Sequence, residues 1–245
     1  KGRRVTILRI SLDELRQIPK NKILVFDLEH TAIENPELLE FSAVWADGRL
    51  AMNSYVRPLH AKEWPHAMEV NHITPAMVAH APTIDVVGPR IEALLQEALA
   101  IVGYSYWNDF SVLEKNGVAI PEKTVLPRVD VSIPFSVVYR NHVQDEGNYN
   151  QRKLSICAKY YGFTSENWHD SMTDAVATAY CFNRMLLNGD IVLTVPKKKK
   201  KTPPCPLPGK PHGRTKEQSH RLTIKRRERR KRAKARMRMA KGMRK

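Results

Sequence analysis

No stretch of this chain approaches the ~18 consecutive apolar residues of a membrane-spanning helix, and the basic N-terminus lacks the apolar segment of a secretory signal. Cysteine is scarce. Cys157, Cys181 and Cys205 form an odd set without metal-type spacing, which argues against a cysteine metal cage. They suit a reducing compartment, with Cys157 and Cys181 as small buried apolar side chains. There is no internal repeat. The expectation is a soluble, cytoplasmic protein without a membrane partner. The chain begins at Lys1 rather than Met, which leaves room for sequence upstream. The last fifty residues almost lack acid. Residues 196–245 hold 22 Lys and Arg against 2 Asp and Glu, a net of +20, whereas residues 1–195 hold 19 against 23, a net of −4. The overall +16 of the 245-residue chain therefore describes neither part.

What is present is organised around Val25-Phe26-Asp27-Leu28-Glu29-His30-Thr31. The apolar run from Ile23 to Phe26 reads as a buried strand, because β-branched and aromatic residues suit a pleated interior. It carries Asp27 and Glu29 into that interior at i and i+2. Strand side chains alternate faces, so both project from one side, about 7 Å apart at their Cα atoms. Two carboxylates there repel one another and lose hydration. A divalent cation resolves both problems; a strand end at which the acids face water is the alternative.

The surrounding pattern predicts a mixed sheet with helices. Ser11-Leu12-Asp13-Glu14 is a capping box that opens a lead-in helix within residues 1–21. Leu38 to Trp45 and Leu50 to Val56 read as strands joined by a tight Asp47-Gly48 turn, giving three adjacent antiparallel strands. Residues 57–87 read as irregular, apart from a helix start at Thr74-Pro75. Helices are expected over 84–99, 109–116, 133–141, 154–161 and 173–187, and strands over 98–104 and 125–131. Hairpin strands followed by alternating strands and helices imply helices packed on a mixed sheet. At Pro196 five lysines lead into a Pro-rich stretch, so 196–214 reads as a stiff charged linker and 215–245 as a basic tail.

Two further acidic sites sit at element edges. Asp109 follows the strand that ends near Tyr104. Asp174 lies near the first turn of the last helix, where the dipole favours a carboxylate. His169 precedes it on a loop from which a ring can reach a substrate. Alone, each has an ordinary reading: an N-cap, a helix-terminal charge, a surface histidine.

Taken together, Asp27-Leu28-Glu29, Asp109, and His169 with Asp174 at His-x4-Asp spacing resemble the three motifs of the DEDDh exonucleases. These include the proofreading subunit of bacterial replicative polymerases, ribonuclease T and oligoribonuclease. The resemblance covers about residues 22–188, within a domain drawn at 22–195. It includes Glu40-Phe41-Ser42-Ala43-Val44 and the stretch from Asn71 to Val78. The chain departs from the family pattern at His30-Thr31-Ala32, at Gly103 to Asn108 and at Ser171. The resemblance implies an α/β, ribonuclease H-like mixed sheet flanked by helices, and a metal-dependent 3′→5′ exonuclease that releases nucleoside 5′-monophosphates.

On that resemblance Asp27 would contact two ions, Mg²⁺ or Mn²⁺. Glu29 and Asp174 would hold the ion carrying the nucleophilic water, Asp109 would support the second, and His169 would take the proton. Hard oxygen ligands with few nitrogens suit those metals. Leu28, His30, Thr31, Tyr104 and Trp107 are the expected substrate contacts; Tyr104 and Trp107 could equally pack on the sheet. The remaining histidines, among them His60, His66, His72 and His80, read as surface or packing residues.

The tail contains Lys225, Arg226, Arg227, Arg229, Arg230, Lys231 and Arg232. It has too few apolar residues to build a core, so it is expected to be disordered or partly helical. Such a segment binds phosphates with little sequence preference. A nuclear-import signal, in a eukaryotic source, is the other reading. The nucleic-acid partner expected is single-stranded DNA ahead of RNA, with a replication or repair protein as a further candidate partner. The alternatives are an exoribonuclease, or a non-catalytic nucleic-acid-binding protein.

Overall fold

A computed structural model describes residues 10–122, 126–142 and 151–191. The expected linker and basic tail lie outside the described residues, as does the start of the lead-in segment. Helix α1 (Leu12–Gln17) begins with the capping box: Ser11 Oγ accepts from the Glu14 N–H, and Glu14 returns a bond from the Ser11 N–H at 2.7 Å. A 3₁₀ turn over Lys20–Lys22 delivers the chain into strand β1 (Ile23–His30).

β2 (Leu38–Trp45) and β3 (Leu50–Tyr55) follow as antiparallel neighbours. β4 (Ala100–Gly103) and β5 (Arg128–Asp130) add on the other side in parallel, giving the order β3-β2-β1-β4-β5. The three antiparallel strands and the mixed sheet are as the sequence predicts. Strand ends are tighter than expected, because β4 and β5 pair over only three positions.

Alternation along β1 assigns its two faces. Leu24, Phe26 and Leu28 point into one core with Phe41, Ala43 and Trp45 of β2. This core is closed by α4 (Ile84–Glu97) and α5 (Trp107–Lys115). There the Phe26 ring stacks on Phe41 at 5.5 Å and meets the edge of Phe110 at 5.3 Å. Ile23 and Val25 point the other way, into a second core with Ala100 and Val102. That core is closed by α6 (Ser132–His142), α7 (Leu154–Tyr161) and α8 (Ser171–Asn188). The acids Asp27 and Glu29 continue this second face. Small residues let α8 lie close across β1, β2 and β4: Ala175, Ala177 and Ala179 are all buried.

The stretch expected to be irregular holds two short helices, α2 (Pro65–Asn71) and α3 (Pro75–Val78). Thr74 caps α3 as predicted. α2 has no side-chain cap and starts from Trp64 with Pro65 at its first position, so only the proline marked it. Both helices close a third small core of Leu39, Trp64, Ile73 and Val78, in which the Trp64 indole donates to the Ile73 carbonyl at 2.7 Å.

Candidate active site

Register brings the first acids opposite polar partners. In the β1–β2 pairing Asp27 faces Ser42 and Glu29 faces Glu40. Directly opposed strand residues share a face, so β2 contributes a hydroxyl and a third carboxylate beside the first two. Over them sits the N-terminus of α8. Ser171, its first residue, is fully buried; its hydroxyl lies 2.6 Å from that of Ser42, and its N–H donates to Glu40 Oε2 at 3.3 Å. Asp170 caps the helix by accepting from the Thr173 N–H at 2.8 Å. This docking brings Asp174, one turn in, against Asp27 and Glu29.

Asp109 enters from the other core. β4 ends at Gly103, where a Cβ would come within 2.7 Å of Tyr106 Cβ, so only glycine allows the buried Tyr106 to fold back. Ser105 then takes a left-handed conformation (φ 59°), and its N–H donates to Asp130 Oδ1 at 3.0 Å. That oxygen also accepts from the N–H and hydroxyl of Ser132. The turn starts α5 two residues earlier than the sequence suggests, so Asp109 stands in the first helical turn rather than at the N-cap.

Electrostatics record the convergence. Burial first, then the neighbouring Asp109, Asp174, Glu29 and Glu40, push the Asp27 carboxyl well above the usual carboxylate range. Burial raises Glu29 to about 8 against the pull of a hydrogen bond from the Asn71 side chain, with Asp174, Glu40 and Asp109 adding to the rise. Asp109 is raised to about 7 by burial and by Asp130. Asp174 is raised to about 6, burial outweighing the His169 N–H that donates to it. Glu40 is raised as well, by burial. The structure thus brings together all four predicted acids.

His169 also reaches the group, through its backbone bond to Asp174; the residue is exposed and takes a left-handed conformation (φ 67°). Burial, followed by the nearby Lys153 and His72, lowers its pKa, which keeps the imidazole neutral.

The donor set suits divalent cations. Asp174 Oδ1 is buried with no hydrogen-bond partner, and burial makes the clustered carboxyls bind protons more tightly than usual at oxygens for which a cation would compete. Among the described residues no three His, Cys, Asp or Glu side chains are already gathered into a cage for one ion.

Of the expected substrate contacts, Leu28 commits its side chain to the first core at 5% exposure, which leaves it only backbone to offer. The Thr31 hydroxyl accepts from the Glu37 N–H at 3.0 Å, so it braces the β1–β2 connection as well as lining a cleft. His30 Nε2 lies 3.4 Å from the Asn108 amide, joining β1 to α5. The Tyr104 hydroxyl donates to the Arg152 carbonyl at 2.6 Å. Trp107 is 45% exposed and packs on Tyr106 with ring centroids 5.0 Å apart. Sequence reasoning missed Asn71, Glu40 and Ser42 as members of the site. Each lay inside a stretch that resembles the family, but only cross-strand register and helix docking reveal what they touch. The tail cations from Lys225 to Arg232 lie outside the described residues.

Two clefts flank the acids. One, of about 550 Å³, starts at Glu29 and is walled by Ile33, Trp64, His66 and Val70. The other, of about 320 Å³, holds Asp174, His169, Tyr104 and Lys153.

With this geometry in place, comparison with known proteins is decisive: the profile of the exonuclease family RNase_T matches residues 24–182. The chain belongs to the RNase_T exonuclease family. Within it, the DEDDh motif set places this exonuclease in the ribonuclease H-like superfamily. It is 27% identical over 181 residues to a PolC-type DNA polymerase III of Clostridium perfringens, covering 70% of this chain and 12% of that polymerase.

Solved structures with the same fold include the cell-death related nuclease CRN-4 (TM-score 0.57, 17% identity, 70% of this chain and 65% of that one). A zinc-bound complex of Escherichia coli ExoI with single-stranded DNA is similar (TM-score 0.57, 18% identity, 69% and 41%). A 3′-exonuclease that recognises a histone mRNA stem-loop is a third (TM-score 0.54, 20% identity, 71% and 68%). This exonuclease therefore spans about an eighth of its polymerase relative and less than two thirds of the first two structures. Among the described residues no helix is long and apolar enough to cross a membrane.

Proposed function

We propose that this exonuclease degrades single-stranded DNA from the 3′ end, releasing nucleoside 5′-monophosphates with the aid of two divalent ions, Mg²⁺ or Mn²⁺. The observation that carries this reading is the convergence of Asp27, Glu29, Asp109 and Asp174 at the C-terminal end of the central strand β1, beside His169. The four carboxylates would hold the metal. When bound, such ions clamp the attacking and leaving oxygens of an in-line phosphoryl displacement.

The chain's own groups supply the rest. His169, exposed and kept neutral, is placed to take a proton from the attacking water. Asn71 holds Glu29 in place through its side-chain amide. The cleft beside Glu29 offers apolar walls to a terminal base, with Ile33 88% exposed at its edge. The preference for DNA draws on the 27% identity to a DNA polymerase over 181 residues.

The basic tail would tether the substrate, offsetting the net −4 of the body. The test is incubation of the purified chain with 3′- and 5′-labelled DNA and RNA oligomers, with and without Mg²⁺. Stepwise loss of the 3′ label on DNA, dependent on metal and abolished in Asp27→Ala, is expected. Metal-independent cleavage, or 5′-end attack, would overturn the reading. Faster cleavage of RNA would reassign it as an exoribonuclease.

A further inference from the structure

The cleft holding His169 and Asp174 does not end at the acids. Its far wall, Ser155 and Trp168, is also the near wall of a third cavity of about 530 Å³. That cavity lies between α6, α7 and the 163–168 loop, and is lined by Tyr139, Lys159, Tyr160 and Phe163. Its size falls within the range of ligand clefts, and its walls combine aromatic faces with a cation.

The rings are held in place. Tyr160 meets the edges of Phe135 at 5.7 Å and Tyr161 at 4.9 Å, yet remains 38% exposed. Phe163 meets Trp168 at 6.4 Å and Tyr180 at 5.5 Å. Fixed rings lose little freedom when a planar ligand stacks on them.

The connecting stretch is pinned to the sheet as well. The Arg152 carbonyl accepts from the Tyr104 hydroxyl, and the Gln151 amide donates at 2.7 Å to Ser132 Oγ, which itself donates to Asp130. This sets Lys153 beside His169, and Lys153 helps lower the His169 pKa. Lys153 and Lys159 are both exposed, one on each of the two adjoining cavities. Spaced cations along a groove with aromatic platforms are what an unpaired nucleic-acid strand requires: phosphates for the cations and base faces for the rings.

We infer that these two adjoining cavities form a binding track for single-stranded nucleic acid beyond the scissile phosphate, with Lys153 and Lys159 taking phosphates and the Tyr160–Phe163–Trp168 pocket seating one unpaired base. The inference rests on the proposed exonuclease reading for its substrate, but its location is independent of which bond is cut.

The decisive measurement uses the full chain with EDTA present and hexanucleotides carrying a single 2-aminopurine at successive positions. One internal position should be strongly quenched by stacking. Tyr160→Ala should abolish that quench and Tyr160→Phe should retain it, which separates loss of the ring from loss of the fold. In Mg²⁺, Lys159→Ala, which lies away from His169 and the acids, should raise KM for a hexanucleotide about threefold with kcat within about twofold, the difference a phosphate track produces. Quenching at the same position in Tyr160→Ala, or a KM for the lysine variant equal to wild type, would overturn the track. If no oligomer is cut under any condition, the exonuclease reading fails, while the quenching pattern still decides whether strand binds here.

Discussion

At the scale of single residues, proton uptake and cation binding compete for the same oxygens. Asp174, Asp109 and Glu29 rise from ordinary values of 3.8, 3.8 and 4.5 to about 6, 7 and 8 in the folded chain. A carboxyl whose folded pKa is raised stabilises the fold through its bound proton, fully below the unfolded pKa and less as pH climbs through the folded one. Without metal the melting temperature should therefore fall as pH rises from about 5 to about 8, and Asp174→Asn should flatten the lower part of that fall. Mg²⁺ should raise the melting temperature more at pH 8 than at pH 6, because protons vacate the ligands. A metal-free melting curve independent of pH across that window would refute the crowded-acid picture. His169 allows a separate test. Its left-handed backbone (φ 67°) makes Asn the substitution that tolerates the conformation, where Ala adds strain. His169→Asn should lower turnover by roughly 10²–10⁴-fold with Mg²⁺-induced stabilisation retained; wild-type turnover at neutral pH would remove the imidazole from the mechanism.

At the scale of elements, the site depends on how α8 is seated. Ser42 of β2 and Ser171 of α8 meet at 2.6 Å in a fully buried contact, and Glu40 accepts from the Ser171 N–H. Removing the Ser42 hydroxyl leaves that of Ser171 buried without that partner, at a cost of about 1–3 kcal/mol, whereas Ser42 still donates to Asn53 Oδ1 at 3.2 Å when Ser171 is replaced. Ser42→Ala and Ser171→Ala should each lower stability in urea denaturation, and the double variant should lose less than the sum. Strict additivity would mean the two hydroxyls do not pin the helix. Turnover should fall in step, because the same helix end carries Asp174 and follows His169. The seating also explains what sequence could and could not reveal. Alternation along Ile23–Glu29 was enough to put Asp27 and Glu29 on one face, because period two is a local property of a strand. Asp109, His169 and Asp174 were legible as a spaced set. Ser42, Glu40 and Asn71 were not, since their roles depend on the β1–β2 register and on the turn of α2 against Glu29. The early start of α5 escaped notice for a similar reason: a left-handed Ser105, held by Asp130 from a later strand, places it.

At the scale of the whole molecule, charge is divided between an acidic body and a basic tail, a net of −4 over residues 1–195 and +20 over 196–245. Every acid of the site lies in the body, so truncation after Val195 should leave cleavage of short oligomers at saturation within about twofold of wild type. A body of net negative charge repels polyanions, and the repulsion is felt over about a Debye length, about 10 Å at 0.1 M salt. Long strands should therefore bind the truncated chain more weakly, most visibly at low salt. If about six tail cations contact single-stranded phosphates, deletion should reduce the log–log salt slope of binding by about 4, at about 0.7 per contact. The comparison is a salt titration of a long labelled oligomer against both chains carrying Asp27→Ala, which prevents digestion during the measurement. Equal affinities and equal slopes would show that the tail's cations do not serve the substrate. The groove past Trp168 would then be the stronger candidate for retaining a strand between successive cuts, and Lys153 and Lys159, rather than the tail, would account for whatever salt dependence remains.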